Sequence, residues 1–139
     1  MRINLFFVIL LCFSFSNTIK YNLQVDKAIS DLYNFQLDSC IYKLDNLSAK
    51  NKEDALIPFL QIAAKWQNIL LNEGHELSYE VIYNGIDSAV PFYLSMIDKY
   101  PDDPSYPLFL GSLYGLKSRI DLAQSNWIDL VISGSKGYK

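Results

Sequence analysis

The side chains that most often carry out catalysis are scarce in this 139-residue chain. His75 is its only histidine, and the two cysteines, Cys12 and Cys40, lie far from it in the sequence. A structural zinc site takes more thiolate and imidazole ligands than these residues supply. Neither a Gly-x-Ser-x-Gly nucleophile turn nor a glycine-rich phosphate loop occurs. We therefore expect no enzyme activity, no metal and no cofactor, and we interpret His75 as an exposed loop residue.

Three acidic residues lie close together in the sequence and resemble a carboxylate cluster: Asp98, Asp102 and Asp103. Asp102 and Asp103 follow Pro101 and precede an apolar segment, which is where aspartate caps the first turn of a helix. Capping accounts for these two residues without any chemistry. No loop in the chain has the ligand spacing of a calcium site.

The first 16 residues have the order of a secretory signal peptide. Arg2 supplies the positive start, residues 5–15 are almost wholly apolar, and Ser14 and Ser16 are small residues at a cleavage position. A bilayer span takes about 20 apolar residues, which is longer than this run. We predict that residues 1–16 are removed and that residues 17–139 form one exported domain, periplasmic or secreted, with no membrane span. A buried N-terminal helix is the alternative.

Cys12 raises the further alternative of a lipid anchor, because bacterial lipoprotein signals end in a cysteine that is lipidated. Two features argue against it: the residue before Cys12 is Leu11, and the apolar run continues beyond it.

The charge of the chain excludes two classes of partner. It has 12 basic and 15 acidic side chains, and loss of Arg2 with the signal peptide leaves 11 against 15, a net charge of −4. A nucleic-acid-binding face calls for clustered basic residues, and so does an anionic membrane patch. After cleavage Cys40 is the only cysteine, so no internal disulfide can form, and we expect Cys40 to be a small buried residue.

Apolar residues recur at steps of three and four along most of the chain, which predicts helices. No segment alternates with period two for long enough to be a strand. Asp54 is a predicted cap, Pro58 suits a first helical turn, and Gly74 suits a left-handed helix end. We expect a kink or break between Gly85 and Pro91. The predicted helices cover residues 25–35, 39–48, 54–71, 78–100, 105–117 and 121–133.

A spaced set of small and aromatic residues occurs near the end of the chain and partly recurs. The set consists of Leu110, Gly111, Tyr114, Ala123 and Trp127. Ala89 and Tyr93 lie 34 residues before Ala123 and Trp127, and Pro101 follows them. This pattern resembles the tetratricopeptide repeat, whose period is about 34 residues. The layout is similar to uncharacterised exported tetratricopeptide proteins of bacteria.

The resemblance implies an all-α stack of about three antiparallel hairpins, an α-solenoid. It implies that Gly111 and Ala123 allow close helix approach and that Tyr114 and Trp127 fill the space between hairpins. It also implies a concave groove that binds a protein or peptide. The groove residues would be Ser105, Leu108, Ser112, Gly115 and Leu116. An ordinary helical bundle, in which the same residues are core, is the alternative.

Some aromatic residues fall off the predicted apolar stripes and are candidates for surface contact: Tyr79, Tyr83, Tyr106 and Tyr138. Val131 and Ile132 are expected to face outward with Tyr138, which indicates a fragment of a longer array or a docking end. Two other functions stay open. In the first, the chain is an accessory domain of an envelope enzyme, and in the second it is a lipid-anchored envelope assembly factor.

Overall fold

The computed structural model describes residues 23–138, so the predicted signal peptide and Cys12 lie outside the described part of the chain. Residues 23–138 are all helical and contain no strand, which confirms the all-α expectation. The helices are α1 (Leu23–Tyr33), α2 (Leu37–Lys50), α3 (Leu56–Asn72), α4 (His75–Lys99), α5 (Ser105–Ala123) and α6 (Trp127–Tyr138).

Local sequence signals set both ends of α3. Asp54 Oδ1 accepts hydrogen bonds from the backbone N–H of Leu56 at 2.9 Å and of Ile57 at 3.2 Å, which confirms the predicted cap. Pro58 lies in the first turn, where the helix needs no N–H from it. Gly74 has a φ of +96° and separates α3 from α4. A side chain is strained at that angle, so a glycine is needed there, but with a ψ of −174° Gly74 lies directly before α4 and does not form the expected left-handed end of α3.

The first and last hairpins share one turn geometry. Phe35 and Ser125 both have left-handed backbones, with φ of 57° and 60°. The backbone N–H after Phe35 bonds to Asp31 O at 2.9 Å, and the one after Ser125 bonds to Asp121 O at 2.8 Å. Each hairpin therefore turns over three residues and places a buried aspartate in the last turn of its first helix.

This turn corrects a predicted helix boundary. The expected end of a helix at Lys117 and the expected start of the next at Asp121 are both wrong, because α5 continues to Ala123. Residues 118–123 contain neither glycine nor proline, and Ile120 extends the buried face of α5 by another turn. The left-handed residue Ser125 then ends the helix.

A kink or break was expected in helix α4, and the break is absent. The chain runs through Gly85 and Pro91 as a single helix from His75 to Lys99. Pro91 is exposed, so water can solvate the carbonyl group that loses its helix partner. A Cβ on Gly85 would lie 3.0 Å from the side chain of Ile62, so this glycine serves the close approach of α3 and α4.

The helices pack in chain order. Each contacts the next, and α3 also contacts α1 and α5. The buried side chains form two clusters, one under α1–α3 and one under α3–α5, and Phe59 of α3 packs against both. Cys40 belongs to the first cluster and is fully buried and free, as expected. Helix α3 is thus the element that joins two parts of the core.

The tyrosines only partly follow the expectation of surface contact. Tyr106 is buried and donates its hydroxyl hydrogen to Glu53 O at 2.8 Å, so the expectation is wrong for it. Burial raises the pKa of Tyr106. Tyr79 and Tyr83 are half-buried, and Tyr138 alone of the four is almost fully exposed.

Candidate functional site

Three of the five predicted groove residues share one side of α5. Leu108, Ser112 and Gly115 are spaced by four and three residues, so they form a strip along the helix, here called the α5 strip. The side chain of Leu108 is 58% exposed, and a Cβ on Gly115 would meet no other part of residues 23–138 within 4 Å beyond its own stretch of helix. The hydroxyl of Ser112 donates to Leu108 O at 2.8 Å. The strip is uncharged and open to contact.

The other two predicted groove residues have different surroundings. Ser105 is held by Asp103, whose Oδ1 accepts from its backbone N–H at 2.9 Å and from its hydroxyl at 2.5 Å. This confirms the predicted capping role of Asp103. Leu116 is half-buried and lines a cavity between α5 and the two preceding helices.

Several residues of the repeat pattern are buried, and one lies at a helix end. Leu110, Ala89 and Tyr93 are core residues of the cluster under α3–α5. Pro101 is exposed and comes two residues after the last residue of α4. These placements agree with roles in core packing and, for Pro101, in ending a helix.

The placement of Ala123 and Trp127 differs from the one that the repeat pattern implied. Ala123 is the last residue of α5 and is exposed, so it lies on the same helix as Gly111 and not opposite it. Trp127 begins α6 and is 62% exposed, so it does not fill a space between hairpins. The turn at Ser125 causes both differences.

Gly137 takes the place expected of Ala123. A Cβ on Gly111 would lie 3.0 Å from the backbone oxygen of Gly137, and one on Gly137 would lie 3.1 Å from that of Gly111. Tyr114 packs beside this contact, since the same Cβ on Gly137 would lie 3.4 Å from its Cβ. The backbones of α5 and α6 thus meet at two glycines.

A buried carboxylate joins the last three helices. Asp121 is only 1% exposed. Its Oδ1 accepts a hydrogen bond from the hydroxyl of Tyr83 at 2.5 Å, and its Oδ2 accepts one from Ser133 at 2.9 Å. Burial and the neighbouring carboxylate raise the pKa of Tyr83. These two hydrogen bonds tie α4 and α6 to Asp121 on α5, and the arrangement is here called the Asp121 clamp.

Sequence reasoning missed this clamp, although a spacing signal exists. Asp31 and Lys43 form an ion pair in the first hairpin, and their separation of 12 residues equals that of Asp121 and Ser133. Lys43 holds the pKa of the Asp31 carboxyl below its usual range. Both hairpins therefore tie the second helix to an aspartate next to the turn.

Sequence reasoning also missed a cavity of about 320 Å³ between α3, α4 and α5. Its walls carry aromatic and aliphatic side chains from all three helices, with one guanidinium group. The lining residues are Trp66, Leu70, His75, Tyr79, Ile82, Leu116, Arg119, Ile120 and Ala123. His75 is exposed, as expected, but it is the first residue of α4 and not a loop residue.

Comparison with known proteins gives no relative. No family model matches the chain, and neither a curated protein nor a solved structure does. In the described part of the chain, no three His, Cys, Asp or Glu residues are grouped so that they could hold a metal ion. None of the helices between residues 23 and 138 has the length and apolar character needed to cross a bilayer.

Helix α6 presents a second exposed apolar surface. Val131, Ile132 and Tyr138 face outward, as the sequence predicts, and Trp127 and Ile128 are exposed with them. Within residues 23–138, α6 contacts only α5. Its outer side is therefore uncovered in this part of the chain.

Proposed function

We propose that this chain is an exported, non-catalytic helical scaffold that binds a protein or peptide partner along the α5 strip. The observation that carries the proposal is the exposure of Leu108 beside the open position at Gly115. An uncharged, partly apolar patch is typical of the centre of a protein interface, where charged residues are depleted.

The packing order supports a tetratricopeptide-like stack as the form of this scaffold. The first helices of the three hairpins contact in a row, since α3 touches both α1 and α5. Within residues 23–138 the second helices, α2, α4 and α6, make no contact with one another. Because the helices of the first layer contact one another and those of the second layer do not, the array curves toward the first layer. Such curved arrays bind partners on the concave side.

The proposed location rests on the sequence of residues 1–16, which we propose to be removed on export to the periplasm or the medium. Cys40 is buried and has no thiol partner in residues 23–138. An exported protein without a disulfide must be stabilised by its core, and the buried clusters of this fold suit that requirement.

A charge placed in the α5 strip should abolish partner binding without unfolding the chain. We expect Leu108→Arg to weaken binding at least ~100-fold, because an interface anchor is lost and a charge is buried in its place. The partner is first captured from an envelope fraction with the wild-type chain, and its affinity is then measured with purified variants by calorimetry.

The chain offers a matched control for this test. Leu94 on α4 is 50% exposed, close to the value for Leu108, and it lies outside the α5 strip. Leu94→Arg should bind as the wild type does, and both variants should keep the helical circular dichroism spectrum. Equal affinity of Leu108→Arg and wild type would refute the proposal.

A further inference from the structure

The cavity between α3, α4 and α5 has the features of a small-molecule site. Its volume of about 320 Å³ is at the lower end of the range for ligand pockets, about 300–1,000 Å³. Three different helices form its walls, and the residues are largely aromatic and aliphatic with a few polar groups. This composition is typical of pockets that bury a small apolar molecule and orient it through one or two polar contacts.

The aromatic wall suits a flat ring. Trp66 comes from α3, and His75 and Tyr79 come from the first turns of α4, with their ring centroids 6.0 Å apart. Offset and edge-to-face aromatic contacts add to the stabilisation that burial of each ring provides. A ligand with one aromatic ring therefore fits both the size and the surface of the cavity.

The charge of the lining selects an anion. Arg119 is the only arginine in residues 23–138, and it forms no salt bridge there. No aspartate or glutamate is among the lining residues, although the chain as a whole has a net charge of −3. A guanidinium group pairs with a carboxylate through two parallel hydrogen bonds, so Arg119 offers a specific contact to a carboxylate group.

The wall also contains a polar group without a partner. Trp66 Nε1–H is buried and has no hydrogen-bond acceptor in the described chain. Buried donors are nearly always satisfied, and an orphan one needs an explanation. The side chain that carries this unpaired donor is one of those that line the cavity.

We infer that this cavity binds a small aromatic carboxylate, with its ring between Trp66 and Tyr79 and its carboxylate on Arg119. The site is separate from the α5 strip, because Leu116 is the only predicted groove residue that lines it. Failure of one proposal therefore leaves the other standing.

Phenylacetate is the probe, and Trp66 fluorescence is the measurement. The chain has two tryptophans, so the variant Trp127→Phe leaves Trp66 as the sole reporter, and Trp127 is exposed enough to be replaced safely. Phenylacetate should change the Trp66 emission in a saturable way. Phenylacetamide, which has the same shape without the charge, should bind at least ~10-fold more weakly, because a hydrogen bond to a charged group is stronger.

Two variants in this background separate the guanidinium contact from general electrostatics. Arg119→Gln should remove the preference for phenylacetate over phenylacetamide. Lys117→Gln should keep it, because Lys117 lies outside the lining and contacts Tyr83 and Asp87. The inference is overturned if phenylacetate does not saturate the signal, if the two probes bind equally, or if Arg119→Gln retains the preference.

Discussion

Replacement of Tyr93 by alanine should lower the free energy of unfolding by about 3–5 kcal/mol, as for other large aromatic residues in cores. Tyr93 is fully buried in the cluster under α3–α5 and packs edge-on against Phe92, with ring centroids 5.1 Å apart. Its hydroxyl donates to Ala55 O at 2.7 Å, just before α3. Total stabilities are about 5–15 kcal/mol, so the loss is a large fraction. Urea unfolding followed by circular dichroism measures it.

The conservative variant Tyr93→Phe separates the ring from the hydroxyl. It should cost only about 1 kcal/mol, the net value of one hydrogen bond. If Tyr93→Ala instead unfolds within 1 kcal/mol of the wild type by the same measurement, Tyr93 is not a core residue.

Burial of Tyr93 also makes the free energy of unfolding depend on pH. Desolvation raises the pKa of Tyr93 above its ordinary value. Unfolded tyrosine loses its proton near pH ~10, whereas folded Tyr93 keeps it, so the folded state binds more protons above that pH. The contribution of protonated Tyr93 to the free energy of unfolding is therefore complete below pH ~10 and is lost as the pH rises further. Tyr93→Phe should reduce this alkaline loss.

Replacement of Asp121 by alanine should destabilise the chain by about 3 kcal/mol and loosen α6 in particular. The carboxylate accepts hydrogen bonds from Tyr83 on α4 and Ser133 on α6, and its loss leaves the Ser133 hydroxyl buried without an acceptor. Because α6 contacts only α5 in residues 23–138, little else holds it in place there. Urea unfolding and amide hydrogen exchange of α6 measure the two effects.

The first hairpin supplies the matched control for Asp121. Asp31 occupies the equivalent position next to its turn and pairs with Lys43, whose side chain is 38% exposed. Water can solvate Lys43 when Asp31 is removed, so Asp31→Ala should cost clearly less than Asp121→Ala. Equal losses, or unchanged exchange rates in α6 of the Asp121→Ala variant, would show that the clamp does not hold α6.

The sequence was sufficient for the features that local physics decides. The helices, the cap at Asp54 and the need for a glycine at Gly74 depend on periodicity and on residues a few positions apart. The turn at Ser125 was not predictable in this way, because its left-handed residue is neither glycine nor asparagine. The like turn at Phe35 was missed for the same reason, since its left-handed residue is a phenylalanine.

Long-range contacts account for the remaining errors. Tyr106 was predicted to be a surface residue because it falls off the apolar stripe, but its hydroxyl donates to the backbone oxygen of Glu53, which is 53 residues away in sequence. The candidate site shows the same limit. The tetratricopeptide resemblance implied groove residues that lie on a single helix, Leu108, Ser112 and Gly115 among them, whereas the cavity beside Leu116 needs three helices to form.

Photocrosslinking reports whether the α5 strip is the surface that holds a partner, as we propose. A benzophenone amino acid is placed at Leu108 and, as the control, at Leu94. We expect a discrete crosslinked partner from the Leu108 position, and none from Leu94 at the same protein level. Crosslinks of equal yield and identity from both positions, or a partner captured only from Leu94, would show that the α5 strip does not hold the partner.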